Sequence, residues 1–196
     1  MPLADFGVQF DLHAIHTGQG TANACAFFDN AYLELLSRHD DRELQSELVR
    51  PLALWERIRW RQIGASPFGI ALRGTDVERS VPTWPYEAAF LPPGHSIPIV
   101  TRRNAGHEPL VFLIPPTLPI RLRTPRAHHG RHRHVTRVTV AGPRVSALPV
   151  DVSQRCAPGV LTLQPATEHH LELDWDGGRA GESRDFRPAL PLVIRW

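Results

Sequence analysis

Proline sets the first limit on this chain. Nineteen prolines and fourteen glycines are spread through 196 residues, and only Pro2 precedes Pro51. Each proline removes a backbone donor and crowds the preceding turn, so their number argues against a helical bundle. Short apolar runs fit between the breaks: "ANACAFF", "AYLELL", "FGIALRG", "PLVFLI", "VTRVTV", "VLTL", "LELDW" and "LPLVIRW". Their length, their flanking turn residues and their Val, Ile, Leu and Phe content predict strands. One stretch reads as helix. After "SRHDD", Asp40 or Asp41 caps it, Leu44 and Leu48 share a face, and Pro51 either ends it or, the favoured reading, starts a second helix that brings Leu54, Trp55 and Ile58 together. The fold class is α+β, with mixed or antiparallel sheet and a minority of helix.

The sharpest local signal is "NACAFFDNAYLEL". Asp29-Asn30 between two apolar runs suits a two-residue hairpin loop, since both residues tolerate φ > 0. Counting outward pairs Phe28 with Ala31, Phe27 with Tyr32, Cys25 with Glu34 and Asn23 with Leu36. Alternation then places Asn23, Cys25, Phe27, Tyr32, Glu34 and Leu36 on one face. The other face carries Ala24, Ala26, Phe28, Ala31, Leu33 and Leu35, and must be core. The first face sets a carboxylate, a thiol and an amide among aromatic rings, as the walls of small-molecule clefts do. An exposed sheet face is the plainer alternative. Just upstream, "HTGQGTAN" adds His16, Thr21 and two glycines, but no helix follows to make it a phosphate loop.

At "HTGQGTANACAFFDNAYLELL" the sequence resembles the glyoxalase-like members of the vicinal oxygen chelate superfamily, and "ASPFGIALRGTD", "PTWPYEAAFLPPGHSIPI", "EPLVFLIP" and "DFRPALPLVIRW" extend the likeness in patches. The resemblance implies βαβββ-type modules whose curved mixed sheet surrounds a cleft, with a divalent ion bound there in metal-dependent members. Glu34 matches the position at which a module's fourth strand supplies a carboxylate ligand. "FGVQFDLHAIH" corresponds to a second strand, so the opening strand and helix of the first module are missing. The second module's opening strand, "FGIALRG", has no histidine, and its closing strand, "PLVFLIP", has no carboxylate. Glu34 with His16 makes two ligands at best, which leaves room for no more than weak divalent binding completed by waters. No cofactor and no full protein ligand set for a metal are expected.

The resemblance divides the chain into glyoxalase-like modules over 1–120, a basic His/Arg-rich loop over 121–134 and a strand-rich part over 135–196 that completes the sheet. The loop carries His128, His129, His132 and His134 in seven residues, a tract that can capture stray metal. With Arg121, Arg123, Arg126, Arg131, Arg133 and Arg137 it also offers phosphate contacts, but no aromatic residue interleaves for base stacking. A solvated loop is the reading, and nucleic acid is not expected as a partner. Cys25 is expected to be a buried strand thiol and not a nucleophile. Asp174 and Asp176 mark a strand running into a turn, and "PTWPY" and "LPPG" mark rigid turns around packed Trp84 and Tyr86.

A net charge of +2 demands no acidic partner. No apolar run approaches the about eighteen residues of a membrane span. Two cysteines and no visible secretory signal fit a soluble, cytoplasmic protein. The expected function is binding of a small organic ligand in the sheet-lined cleft, with Glu34 as the catalytic candidate and His16, Thr21, Asn23, Cys25 and Tyr32 as ligand-binding residues. The resemblance allows isomerase, lyase or dioxygenase chemistry. A non-catalytic binding or sequestration protein of the same fold is the alternative, and a basic nucleic-acid-binding protein is the second. Missing its opening strand, the first module should leave a sheet edge and an apolar face uncovered, to be filled by an upstream segment or, less favoured, by a second copy in a homodimer.

Overall fold

The computed structural model describes residues 2–10, 12–73, 81–102, 106–115, 118, 132, 134–145 and 159–196. Cys156, His128, His129, Arg121, Arg123, Arg126, Arg131 and Arg133 lie outside them, so the expectations for the basic loop rest mainly on His132 and His134. Among the described residues the chain is α+β, with strands in three sheets and a few short helices.

The first sheet is an antiparallel meander of β1 (Leu12–His16), β2 (Thr21–Phe27) and β3 (Tyr32–Arg38). Cys25 pairs with Glu34, Asn23 with Leu36 and Phe27 with Tyr32, and the Phe28 amide donates to the Ala31 carbonyl at 2.8 Å, as the two-residue loop requires. Neither Asp29 nor Asn30 adopts positive φ, however. Instead Asn30 plugs into a neighbouring strand. Its amide donates to the Val135 carbonyl at 2.7 Å and its carbonyl accepts from the Val135 amide at 3.0 Å. That side chain extends a strand-like ladder sideways and docks the hairpin tip.

The apolar face is not left uncovered as expected. Ala26, Phe28, Leu33 and Leu35 pack with Leu3 and Val8 against Val135, Leu173, Trp175, Ile194 and Trp196. Leu3 lies on α1 (Pro2–Asp5), an element the strand pattern did not show. The edge expectation stands in part, because β1 and β3 are both terminal strands of this sheet, and Tyr32 and Leu36 are exposed.

After β3, Asp40 caps α2 (Asp41–Leu44), accepting from the Arg42 and Glu43 amides at 2.8 and 2.9 Å. The helix stops at one turn, so Leu48 does not share a face with buried Leu44 and is exposed. Pro51 sits at the start of a 3-10 turn over Arg50–Leu52, followed by α3 (Leu54–Ile58) and α4 (Trp60–Ile63).

The second sheet comprises β4 (Gly69–Arg73), β5 (Thr83–Tyr86), β6 (Ile97–Val100) and β7 (Leu110–Ile114) in the order β4-β7-β6-β5, with β4 parallel to β7. "PTWPY" is thus a strand and not a turn. Its Pro85 is tolerated because β5 is an edge. The third sheet comprises β8 (Val135–Gly142), β9 (Leu161–Pro165), β10 (His170–Trp175), β11 (Ser183–Asp185) and β12 (Leu192–Arg195). One of its faces serves both other sheets: Val138 and Leu171 touch the first sheet's core and also the cluster of Ile70, Leu72, Val111 and Leu113. The opposite face carries ions, with Arg195 on Glu172 at 3.0 Å and Asp174 facing Arg137 and Arg195 at 3.7 Å.

Where the basic loop rejoins this sheet, His132 stacks on Trp175 and hydrogen-bonds Asp176 at 2.7 Å. At that point it is pinned and not freely solvated. Asp176 opens a 3-10 turn directly after β10, as the strand-to-turn reading had it. No helix among the described residues is long and apolar enough to cross a membrane.

Candidate functional site

The register puts His16, Thr21, Asn23, Cys25, Phe27, Tyr32, Glu34 and Leu36 on one face of the first sheet. A single buried amide organises its polar groups. Asn23 Oδ1 accepts from the Ala14 amide at 3.0 Å, which leaves its Nδ2 to donate to Glu34 Oε1 at 2.7 Å and to meet His16 Nε2 at 3.3 Å. The amide orientation is set by these partners, since a flip would oppose donor to donor and oxygen to carboxylate. Nε2 therefore accepts, while Nδ1 meets Thr21 Oγ1 at 2.9 Å and the Gln19 amide nitrogen at 3.3 Å. Burial lowers the His16 pKa, with Glu34 pulling the other way. The imidazole is neutral at neutral pH.

A second layer holds His16 in place. Gln19, missed by sequence reasoning, donates to Thr21 Oγ1 at 2.7 Å and accepts from the Tyr86 hydroxyl at 3.2 Å. Phe90 stacks on the imidazole with centroids 4.8 Å apart. The first and second sheets thus meet at the β1–β2 loop. That loop is shaped by an internal anion: Glu43 Oε2 accepts from the Gly18 and Gly20 amides at 2.8 and 2.9 Å. The glycine loop thus binds a carboxylate of its own chain. A β-carbon on Gly20 would lie 2.3 Å from the Asp40 carbonyl oxygen, and the residue's φ is +79°. Asp40 followed three residues on by Glu43 is a capping-box signature, but Glu43 turns away from its own helix to reach the loop.

Residues 2–148 match the family model described as glyoxalase-like domain. The chain belongs to the glyoxalase-like domain family. No curated protein and no solved structure matches it.

In this glyoxalase-like domain the expected site residues fall into two groups. Glu34 and His16 are partly exposed and Tyr32 is 39% exposed, while Thr21, Asn23 and Cys25 are 0%, 9% and 4% exposed and lie beneath them. Burial, reinforced by Glu34, pushes the Cys25 thiol up to about 12, so it stays protonated and is no nucleophile. Trp84 and Tyr86 pack, and Tyr86 is buried.

The divalent ion that the resemblance implies does not suit this donor set. Among the described residues no three His, Cys, Asp or Glu side chains converge to hold one. The two that come close, His16 and Glu34, both direct an acceptor at the Asn23 amide. Glu34 Oε2 has no hydrogen-bond partner among the described residues.

Proposed function

We propose that this glyoxalase-like domain binds a small, largely apolar organic molecule on the polar face of the first sheet, anchored by Glu34. The observation that carries this reading is the state of the carboxylate. One oxygen is fixed by Asn23 at 2.7 Å, and the side chain sits half-buried between exposed Tyr32 and Leu36 and above buried Cys25 and Phe27. A pre-oriented acceptor on an apolar wall selects a ligand with a hydroxyl or amine donor. Such a bond to a charged group is worth about 1.5–3 kcal/mol.

Isomerase, lyase or dioxygenase chemistry would need a second proton-transfer group or a metal beside Glu34. His16 presents neither face freely, since Nδ1 meets Thr21 and Nε2 accepts from Asn23. This favours binding without turnover as the second reading. A ligand-observed NMR screen of small alcohols and amines tests the proposal. Hits should weaken by about tenfold or more in Glu34→Gln. If Glu34→Gln keeps full affinity, or Tyr32 and Leu36 signals in a protein-observed spectrum do not respond to the hits, the ligand lies elsewhere.

A further inference from the structure

We infer that the side-chain amide of Asn23 occupies the place a divalent cation would take between His16 and Glu34, and so makes this face refuse metal. The argument is geometric. His16 Nε2 and Glu34 Oε1 converge on one atom, Asn23 Nδ2, at 3.3 and 2.7 Å. A first-row ion bound by the same two atoms would need to lie about 2.0–2.2 Å from each, on the side to which both now point toward that nitrogen.

The amide has nowhere else to go. Asn23 is 9% exposed in the central strand of its sheet, and its Oδ1 is held by the Ala14 amide at 3.0 Å. An incoming ion would have to expel a buried group, break its contact with the Ala14 N–H and still gain only two protein ligands. Pulling a buried amide from its partners opposes binding before any metal bond forms. An amide nitrogen supplies two N–H donors and no lone pair for a metal. One substitution reverses this, because a carboxylate at the same position offers an oxygen where the amide offers hydrogen.

The test reads metal and not the organic ligand, so this inference and the proposed ligand site can fail independently. Metal-stripped wild-type protein, Asn23→Asp and Asn23→Ser are titrated with Co²⁺ and followed by visible absorption and by melting temperature. Each is repeated with His16→Gln, which separates this site from capture by the His128–His134 tract. Wild type should show no His16-dependent signal. Asn23→Asp should gain a His16-dependent Co²⁺ spectrum, with affinity tighter by about tenfold or more, the scale on which single residues around a metal act. Should Asn23→Asp fail to fold, Asn23→Ser, which removes the amide without adding charge, must show the gain. A wild-type Co²⁺ spectrum abolished by His16→Gln would overturn the inference. So would folded variants that bind Co²⁺ no better than wild type.

Discussion

The first and second sheets share a plan and differ in what lies over them. In each, three consecutive strands form an antiparallel meander, β1-β2-β3 in one and β5-β6-β7 in the other. The second gains β4 alongside β7, and both of its faces are covered. One packs on the third sheet through Ile70, Leu72, Val111 and Leu113. The other is roofed by the helical segment, where Leu44, Val49, Leu52 and Leu54 meet Tyr86, Ile99, Leu110 and Phe112. Arg57 staples that roof: its buried guanidinium donates to the Leu52, Ser66 and Glu108 carbonyls at 2.8–3.1 Å. The first sheet has one face in the core, and among the described residues no such helical roof of aliphatic side chains lies over the other. A carboxylate and an imidazole are tolerable only where water or a hydrogen-bond partner can reach them. This is why the polar chemistry sits on one meander and not on its counterpart.

The largest effects should come from unseating either meander. Phe28→Ala empties the contact between the hairpin and Trp175 and should cost about 3–5 kcal/mol in urea unfolding. On the other side, Arg57→Met leaves three carbonyls without their donor and should cost about 3 kcal/mol. A much smaller loss for Arg57→Met would mean that apolar packing alone holds the roof.

The junction between the sheets is a finer probe. Gly20→Ala forces a β-carbon onto the Asp40 carbonyl at positive φ and should cost about 2–3 kcal/mol. Gly64→Ala, at φ +71° but facing open space, should cost only about 1 kcal/mol. Equal melting temperatures for the two variants would show that the Gly20 loop yields easily, and Glu43 would then not be shaping it.

The mildest probe is acid. His169 is 8% exposed between Trp60 and Phe68, and among the described residues its ring nitrogens have no well-formed hydrogen bond, although the Gly64 backbone lies nearby. Burial, opposed in part by the Gly64 backbone and helped by His107 and Arg57, holds its pKa below 6.5 in the folded protein. The unfolded chain therefore binds more protons as pH falls through 6.5, and stability present at neutral pH is lost toward the folded value. His16, lowered in the same sense, acts alike on the first sheet. His169→Phe should flatten the fall in melting temperature below pH 6.5 and leave the His16 share. An unchanged slope would assign the acid sensitivity to His16 alone.

The hairpin was legible because its rules are local. A two-residue loop and a side-chain period of two place Glu34, Asn23 and Cys25 on one face with no knowledge of the rest of the chain. Asp40 as a helix cap and Pro51 at a helix start were legible for the same reason. Tertiary contacts decided the remainder. Thr83–Tyr86 became a strand because the β6 backbone was there to pair with it, although Pro85 argues for a turn. The helix after Asp40 closed after one turn, which left Leu48 outside. Glu43 crossed to the Gly18–Gly20 loop, and Asn30 found Val135 more than a hundred residues away. The sequence by itself determined which residues share a face, because backbone geometry repeats with a fixed period. Only the tertiary structure decided what each polar atom touches, because hydrogen-bond partners are chosen by proximity across the fold and not by spacing along the chain.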